Sequence, residues 1–288
     1  MQEFSRIIAG TMTWGVWGSN LNTAQMAANI EGALALGVHT FDHADIYGGY
    51  TTEAAFGRAF AQTGIAREDV FFINKCGIQY PCEARPIPIK HYDYSPEHIR
   101  FSVENSLRHL QTDYLDLLLL HRPSPLMYPE PIVAVLHELI EAHKIKSWGV
   151  SNFTPSQCAL FERFEPPQWN QIECSLTHNA PLLDGSLDHH QAQSIGTMAW
   201  SPLGIYFKEK TEAVTRIQKV LKPLCEKYQA DESQLLLAWL LRHPAQIHPV
   251  VGTTQLARLK KGVAALDIPL ATEDWFVLTE ASWGHRAP

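Results

Sequence analysis

The sequence is poor in cysteine and has no long apolar run. Its five cysteines are an odd number, lack Cys-x-x-Cys spacing and occur in a 288-residue chain, which is too large to need disulfides for stability. We therefore expect reduced thiols. No stretch of about 18 apolar residues is present, and the N-terminal segment lacks the cationic stretch, apolar run and cleavage site of an export signal. These absences predict a cytoplasmic protein without a membrane span.

Excess positive charge is also missing. The chain has 23 Lys and Arg residues against 30 Asp and Glu residues, a formal net charge of -7, and no basic stripe interleaved with aromatic residues. This balance argues against nucleic acid or an anionic membrane as the main partner. A small molecule is therefore the expected partner.

Metal-ligand spacing is missing as well. Of the 14 histidines only His189 and His190 are adjacent, and no His-Glu-x-x-His or Cys/His ligand pattern accompanies them. We therefore predict no metal site and interpret this pair as an exposed polar turn of a helix.

Short apolar runs bounded by turn residues alternate with longer segments of helical period along the chain. With 45% hydrophobic residues, the chain is able to bury a large core. The alternation is typical of repeated β-α units. Eight strands joined by seven helical connections are predicted, at residues 10–14, 39–42, 70–75, 115–121, 147–151, 168–173, 196–201 and 248–252.

Eight apolar strands alternating with helices predict an α/β protein whose parallel sheet closes into a (β/α)8 TIM barrel. We expect a single domain over residues 1–288, with an extra C-terminal helix within 271–283. A doubly wound sheet is the weaker alternative, because no Gly-x-Gly-x-x-Gly pattern follows the first strand.

Local signals mark the ends of two predicted helices. Asn22 or Thr23 is a suitable N-cap for the first helix, and Gly37 stands where that helix ends. Ser95 followed by Pro96 begins a second helix.

Polar residues end three neighbouring predicted strands. Asp42, Lys75 and His121 end the second, third and fourth strands, and Tyr47 follows in the loop after Asp42. In an eight-stranded barrel the carboxyl ends of the strands meet at one mouth, where chemistry occurs. Singly, the aspartate fits a cap, the histidine a core residue and the lysine a solvated charge. Together they indicate a site of proton transfer.

These four side chains suit proton donation by a phenol. Tyrosine has an ordinary pKa of about 10, so a nearby cation is needed to stabilise its phenolate. Lys75 would supply that charge, and Asp42 would keep the lysine protonated. His121 would orient a carbonyl oxygen toward the Tyr47 hydroxyl. Such a site lacks an electron source and therefore requires a cofactor.

The loop that follows the third strand is unusually long. Residues 76–94 form a proline-rich connection, and loops of this kind at a barrel mouth shape the pocket. We expect an aromatic substrate pocket lined by Trp14, Trp17, Ile78, Tyr80, His91 and Tyr92.

Motifs along nearly the whole chain resemble those of the aldo-keto reductases, NADPH-dependent barrel enzymes. They occur in the family's order and are, from the N-terminus, GTMTWG, FDHADIYG, NKCG, DYLDLLLLHRP, WGVSNF, NQIECSL, AWSPLG and VVGTTQLARL. The chain is most similar to a bacterial branch of uncharacterised oxidoreductases related to sugar and diketone reductases. The resemblance implies reduction of a small aldehyde or ketone by NADP(H), in a monomer.

The resemblance also implies a role for each polar residue at the mouth. Tyr47 would be the general acid, with its pKa lowered by Lys75 and Asp42, and His121 would orient the carbonyl. Ser151, Asn152 and Gln171 would bind the nicotinamide carboxamide, Trp200 would stack on its ring, and Ser201, Leu203 and Gly204 would follow the pyrophosphate. Gly252, Thr253, Thr254 and Arg258 would surround the adenosine phosphate, and Gly10, Thr11, Met12 and Asp42 would complete the cofactor site.

Four positions depart from the family pattern. Gly252 stands where many members have lysine and Gly262 where asparagine often contacts adenine, which leaves the preference for NADPH over NADH open. His43 replaces a small hydroxyl residue with an expected effect on packing or pH response, and Ser124 replaces a frequent acidic residue.

Two alternatives remain at this stage. A barrel aldolase would use Lys75 to form a Schiff base with a carbonyl substrate, although an Asp42 partner would keep that lysine protonated. An NADPH-binding regulatory subunit would bind the cofactor with little turnover.

Overall fold

The computed structural model describes residues 4–288, in which eight parallel strands close into a barrel. The strands in chain order are β1 (Ile8–Gly10), β2 (Thr40–Asp42), β3 (Phe71–Cys76), β4 (Ile78–Gln79), β5 (His91–Tyr92), β6 (Leu117–Leu120), β7 (Trp148–Ser151), β8 (Trp169–Glu173), β9 (Gly196–Trp200) and β10 (His248–Val251). β10 pairs with β1 to close the barrel, whereas β4 and β5 form a separate antiparallel hairpin. The predicted (β/α)8 architecture is confirmed. Residues 1–3 of the predicted single domain lie outside the described part.

The prediction for the first strand is wrong. β1 ends at Gly10, where a strand over 10–14 is predicted, and the chain turns over the following residues. In this turn the Trp14 N–H donates to the Thr11 carbonyl oxygen at 3.0 Å. The buried apolar residues that form the strand are Ile8 and Ala9, just before the predicted segment. Each of the other seven predicted strands overlaps one barrel strand.

The α-helices of residues 4–288 surround the barrel and follow the local signals. They are α1 (Thr23–Ala35), α2 (Thr52–Thr63), α3 (Pro96–Leu110), α4 (Pro129–Glu141), α5 (Pro155–Glu162), α6 (Ser186–Gln193), α7 (Glu212–Tyr228), α8 (Glu232–Leu241), α9 (Leu256–Ala264) and α10 (Thr272–Trp283). Asn22 caps α1 in a reciprocal pair with Gln25, and Gly37 follows the helix with φ +76°. Ser95 caps α3. None of these helices has the length and apolar character needed to cross a membrane.

A second helix beyond the barrel accompanies the predicted C-terminal one. α10 agrees with the prediction, and α7 packs against it. The connection between β9 and β10 contains two helices, α7 and α8. The Lys227 Nζ donates to Asp274 Oδ2 at 2.6 Å, and the Arg216 Nε donates to the Ala281 carbonyl oxygen at 2.9 Å. These contacts join segments that are distant in sequence.

Apolar side chains fill the barrel interior and leave polar positions at its mouth. Side chains alternate along a strand, so Lys75 faces the same side of β3 as Ile73, and Gln171 the same side of β8 as Trp169. The polar member of each pair lies nearer the carboxyl end, where the mouth is. The buried interior cluster consists of Phe4, Ile8, Ile73, Leu117, Leu119, Trp169, Met198 and Val250.

Candidate active site

Tyr47, Lys75 and Asp42 form a buried cluster at the carboxyl ends of β2 and β3. The Lys75 Nζ donates to Asp42 Oδ2 at 2.6 Å, to the Tyr47 hydroxyl oxygen at 3.1 Å and to the His43 carbonyl oxygen at 2.9 Å. All three ammonium protons therefore have acceptors. The loop is closed by the Tyr47 N–H, which donates to the Ala44 carbonyl oxygen at 3.1 Å. Because its oxygen accepts from Lys75, the Tyr47 hydroxyl is left with a proton to donate.

The pKa of the phenol differs from the expectation. Burial raises the pKa of Tyr47, Lys75 lowers it and Asp42 raises it, and the net change is upward. The expected net lowering is therefore wrong, although Lys75 acts in the expected direction. Burial lowers the pKa of Lys75, but Asp42 and Tyr47 outweigh it and hold that pKa above its ordinary value. At neutral pH a protonated phenol thus lies against a charged ammonium.

His121 lies beside this cluster without a hydrogen bond to it. Its ring centre is 6.2 Å from that of Tyr47, with the rings nearly perpendicular. Burial and the positive charge of Lys75 hold the pKa of His121 well below its ordinary value, so the ring is neutral. Its buried Nδ1 has no hydrogen-bond partner within residues 4–288.

A row of hydrogen bonds connects the cluster to the residues expected to bind nicotinamide. The Gln171 Nε2 donates to Asp42 Oδ1 at 2.8 Å, and the Ser151 hydroxyl donates to the Gln171 carbonyl oxygen at 2.8 Å. The Asn152 Nδ2 donates to Ser151 Oγ, and the Trp200 Nε1 donates to Asn152 Oδ1, both at 2.8 Å. The structure thus brings together residues predicted from four different strands.

The chain turns tightly after β9. Ser201 has φ +48° and Gly204 has φ +53°, and the Gly204 N–H donates to the Ser201 carbonyl oxygen at 2.7 Å. A Cβ at position 204 would lie 1.9 Å from Thr177 Oγ1. Glycine is therefore required in this turn. Leu203, between these two residues, is partly buried and packs on the core.

Unpaired donors lie at the start of α9. The amide N–H groups of Thr254, Leu256 and Ala257 donate to no acceptor within residues 4–288, and the exposed Arg258 forms no ion pair there. A Cβ placed on the exposed Gly252 meets no atom within 4 Å. Free amides at a helix N-terminus and a nearby guanidinium suit a phosphate group.

Asn29 and Ser19, which no sequence motif assigned to the site, hold this segment in place together with Trp14. The Asn29 Nδ2 donates to the Thr254 carbonyl oxygen at 3.1 Å, and the Trp14 Nε1 donates to the Thr253 carbonyl oxygen at 3.2 Å. Ser19 Oγ is 3.0 Å from Thr254 Oγ1. No local pattern indicates these contacts, because each joins positions more than 200 residues apart.

The predicted cofactor residues after β1 differ in their surroundings. Gly10 ends the strand, and Met12 is 46% exposed. Thr11 is fully buried: its hydroxyl donates to the Asp42 carbonyl oxygen at 2.9 Å and lies 3.0 Å from His43 Nδ1. The Thr11 side chain therefore holds the backbone at Asp42 and the ring of His43 in place.

Some of the residues expected to line an aromatic pocket lie close together. Trp17 lies 6.3 Å from Tyr47 and 5.3 Å from Tyr80 between ring centres. Ile78 and Tyr92 pack in the same cluster.

Two residues of the expected pocket lie elsewhere. Trp14 is buried in the core against Phe41 and Phe56, and His91 is exposed. Trp14 is the last residue of the misplaced first strand, which explains the error in its position.

The structure corrects the interpretation of one histidine and gives another a role in packing. His190 is buried, not exposed, and its ring nitrogens lie 3.0 Å from Asn170 Nδ2 and 2.9 Å from Thr197 Oγ1. Full burial lowers the pKa of His43 to about 3, so this ring stays neutral and packs edge-on against Phe56 at 4.4 Å. His43 thus acts in packing.

Asp45 is a buried carboxyl group behind Tyr47 that the motif analysis missed. Its Oδ2 accepts from the Ser102 hydroxyl at 2.9 Å, and its Oδ1 has no partner within residues 4–288. It lines a small cavity with Glu53, and burial followed by the charge of Glu53 raises the pKa of Asp45 to about 7. The only signal in the sequence is its place in FDHADIYG.

A model of the aldo/keto reductase family matches residues 6–282. The chain belongs to the aldo/keto reductase family. It is 39% identical over 292 residues to "Uncharacterized oxidoreductase YcsN" of Bacillus subtilis (strain 168), with 99% of this chain and 97% of that protein covered. It is 38% identical over 294 residues to "6-dehydroglucose reductase" of Agrobacterium fabrum, with 99% and 96% covered.

A solved aldo-keto reductase has the same fold. The thermostable Tm1743, crystallised with the inhibitor epalrestat, matches with a TM-score of 0.82 and 25% identity over 97% of this chain and 96% of that one. Together with the family match, this makes the protein an oxidoreductase of a carbonyl-reducing, nicotinamide-dependent family. Family membership argues against the Schiff-base aldolase.

Proposed function

We propose that this aldo-keto reductase uses NADPH to reduce an aldehyde or ketone to the alcohol, with Tyr47 as the general acid. The observation that carries the proposal is the position of Lys75, which contacts Asp42 at 2.6 Å and the Tyr47 hydroxyl at 3.1 Å. This places a buried cation beside the oxygen that becomes negative when the phenol loses its proton.

Each side chain has its own role at the carbonyl group. NADPH, held by the residues assigned below, would supply the hydride that the carbonyl carbon accepts. Tyr47 donates its hydroxyl proton to the carbonyl oxygen as the C=O bond is reduced, and Lys75 stabilises the phenolate that forms. The raised pKa of Tyr47 keeps the phenol protonated before the reaction. His121 is neutral and orients the carbonyl oxygen by a hydrogen bond without competing as an acid.

The hydrogen-bond capacity of the mouth fits a nicotinamide. Gln171 Nε2 is used by Asp42, but Gln171 Oε1 accepts nothing within residues 4–288 and is suited to the carboxamide NH2. Asn152 holds the Trp200 indole at 2.8 Å, which fixes the ring proposed to stack on nicotinamide. The unpartnered Nδ1 of His121 also fits a site that receives a bound group.

The other end of the cofactor is assigned to residues 201–204 and 252–258. The turn at Gly204 would follow the pyrophosphate, and the unpaired amides of α9 would bind the adenosine phosphate. Arg258 is the reason for proposing NADPH over NADH, because its guanidinium has no carboxylate partner in the described part of the chain and only NADPH carries a 2′-phosphate.

The decisive experiment compares wild type with Tyr47→Phe in NADPH oxidation, using a panel of aldehydes, diketones and sugars. We expect the variant to bind NADPH normally and to lose about 10²- to 10⁴-fold in rate. Tyr80→Phe is the matched control, since this nearby phenol has no hydrogen bond to Lys75. Full activity in Tyr47→Phe would refute the assignment. NADPH binding without turnover of any carbonyl by wild type would instead favour the regulatory-subunit alternative.

A further inference from the structure

Arg122 presents a guanidinium without an acidic partner beside the proposed proton donor. It follows His121 directly after β6 and is half-buried. Its Cζ lies 5.4 Å from the centre of the Trp200 ring. Within residues 4–288 its side chain forms no ion pair and no hydrogen bond; only its backbone is hydrogen bonded.

The backbone of Arg122 is held in one position by a single buried tyrosine. The Tyr94 hydroxyl donates to the Arg122 carbonyl oxygen at 2.6 Å and accepts from the Arg122 N–H at 3.0 Å. Burial keeps the pKa of Tyr94 well above its ordinary value, so this hydroxyl retains its proton. The Arg122 backbone therefore holds a fixed position next to His121, from which the side chain reaches the Trp200 ring.

The mouth is positive although the whole chain has a formal net charge of -7. The charged groups that act on the ring of His121 are Lys75, Arg122 and Lys90, and all three are cations. The negative charge in the cluster, that of Asp42, is paired with Lys75 at 2.6 Å. The half-buried Arg122 is thus left to attract an anion, whereas Lys90 is exposed and its charge is screened by solvent.

We propose that Arg122 binds an anionic oxygen group on the carbonyl substrate, a carboxylate or a phosphate, and so determines substrate specificity. The inference rests on the proposed carbonyl reduction. A guanidinium pairs with either group through two parallel hydrogen bonds, which a neutral analogue does not replace. The substrate would then be fixed at its carbonyl by Tyr47 and His121 and at its anionic end by Arg122.

The competing explanation is that Arg122 serves the cofactor, since it lies over Trp200. The cofactor phosphates are assigned elsewhere, to residues 201–204 and 252–258, so we expect NADPH affinity to be independent of Arg122. This affinity is measured in the same experiment.

The test uses substrate pairs that differ in charge: para-carboxybenzaldehyde against its methyl ester, and glyceraldehyde phosphate against glyceraldehyde. In Arg122→Gln we expect kcat/KM to fall by about 10- to 100-fold for the anionic member and by less than about threefold for the neutral one. Arg122→Lys should restore part of the loss, because it restores the charge but not the paired geometry. Lys90→Gln is the control for an exposed cation and should change the ratio by about twofold or less. The pair that shows the larger loss identifies carboxylate or phosphate.

Equal losses for anionic and neutral substrates, or weaker NADPH binding by Arg122→Gln, would overturn the inference. Wild-type turnover without preference for the anion would refute it while the proposed function stands. Binding of benzoate to the enzyme saturated with NADP+, followed by calorimetry in wild type and Arg122→Gln, decides the question even if no carbonyl in the panel is reduced. Undiminished benzoate binding by the variant would then overturn it.

Discussion

Gln171 and Asp42 are 129 positions apart in the chain, and the Gln171 Nε2 donates to Asp42 Oδ1 at 2.8 Å. The same Asp42 accepts from Lys75 through its other oxygen at 2.6 Å. The backbone of Gln171 accepts from Ser151, which in turn accepts from Asn152. The proposed proton donor and the proposed nicotinamide site therefore belong to one hydrogen-bonded network.

Replacing Gln171 should affect both the Asp42 carboxylate and NADPH binding. In Gln171→Leu, Asp42 Oδ1 loses its donor, and we expect the free energy of unfolding to fall by about 1–3 kcal/mol. NADPH affinity should fall as well, because the free Oε1 is lost. Urea unfolding and calorimetric titration measure the two effects. Asn152→Ala should weaken NADPH binding without removing the Asp42 contact, and unchanged NADPH affinity in Gln171→Leu would leave Gln171 with a structural role only.

Lys75 should be needed for stability as well as for activity. In Lys75→Met the Asp42 carboxylate stays buried without its cation, which costs about 3–5 kcal/mol. Adding Asp42→Asn removes the uncompensated charge, so the double variant should regain part of that stability while both remain inactive. Urea unfolding and NADPH oxidation provide the readouts. If the second substitution lowers stability further, then the ion pair is not the source of the effect.

Asp45 should make stability decrease with rising pH. Burial, followed by the charge of Glu53, raises its pKa from 3.8 to about 7 in the folded chain. Between these values the folded state holds a proton that the unfolded state has lost, so the stability due to this group is present below pH 3.8 and is lost as the pH rises toward 7. The loss is at most about 4 kcal/mol.

The difference in unfolding free energy between Asp45→Asn and wild type isolates this slope. We expect the variant to gain stability relative to wild type from pH 4 to pH 7, the window set by the shifted pKa. Ser102→Ala removes the hydrogen bond to Asp45 but keeps the carboxyl group, so it should retain the slope. A difference that is constant over this range would show that the Asp45 pKa is not raised.

His43 should make stability decrease as the pH falls, the opposite of the effect of Asp45. Its pKa is lowered from 6.5 to about 3 by burial, so the unfolded chain takes up a proton that the folded chain excludes, and stability is lost as the pH falls from 6.5 toward 3. His43→Gln should reduce this acid sensitivity in pH-dependent unfolding. Its pH–rate profile should be unchanged above about pH 5, because the ring is already neutral there. A shifted profile would assign His43 a part in proton transfer.

Cofactor preference should depend on the surface near α9. Gly252 has open space beside it, so Gly252→Lys should strengthen NADPH binding about two- to fivefold without a change for NADH. Arg258→Ala should weaken NADPH binding and leave NADH binding unchanged. Fluorescence titration with both cofactors gives the ratio, and Lys260→Ala on the same helix is the control for general charge. Equal effects on NADPH and NADH would exclude a 2′-phosphate contact.

The cluster of Asp42, Tyr47 and Lys75 could be predicted because the ends of apolar strands are visible in the local sequence. Asp42 and Lys75 each end an apolar run, and a barrel brings the ends of all its strands to one mouth. The position of the first strand is harder to predict from the sequence, because GTMTW has the β-branched and aromatic content of a strand but forms a turn after Gly10. The connection between β9 and β10 was not divided into α7 and α8, although Thr211 caps α7 locally by accepting from the Val214 N–H.

The sequence by itself determined the order of strands and helices, the helix caps and the kinds of side chain that reach the mouth, because periodicity and capping depend on neighbours within a few residues. Only the tertiary structure decided burial and charge: the raised pKa of Tyr47, the buried His190 and, within residues 4–288, the Asp45 oxygen without a hydrogen bond and the Arg122 guanidinium without an ion pair. Each depends on how much water and which charges the packed chain leaves around a side chain, and those neighbours come from distant parts of the sequence.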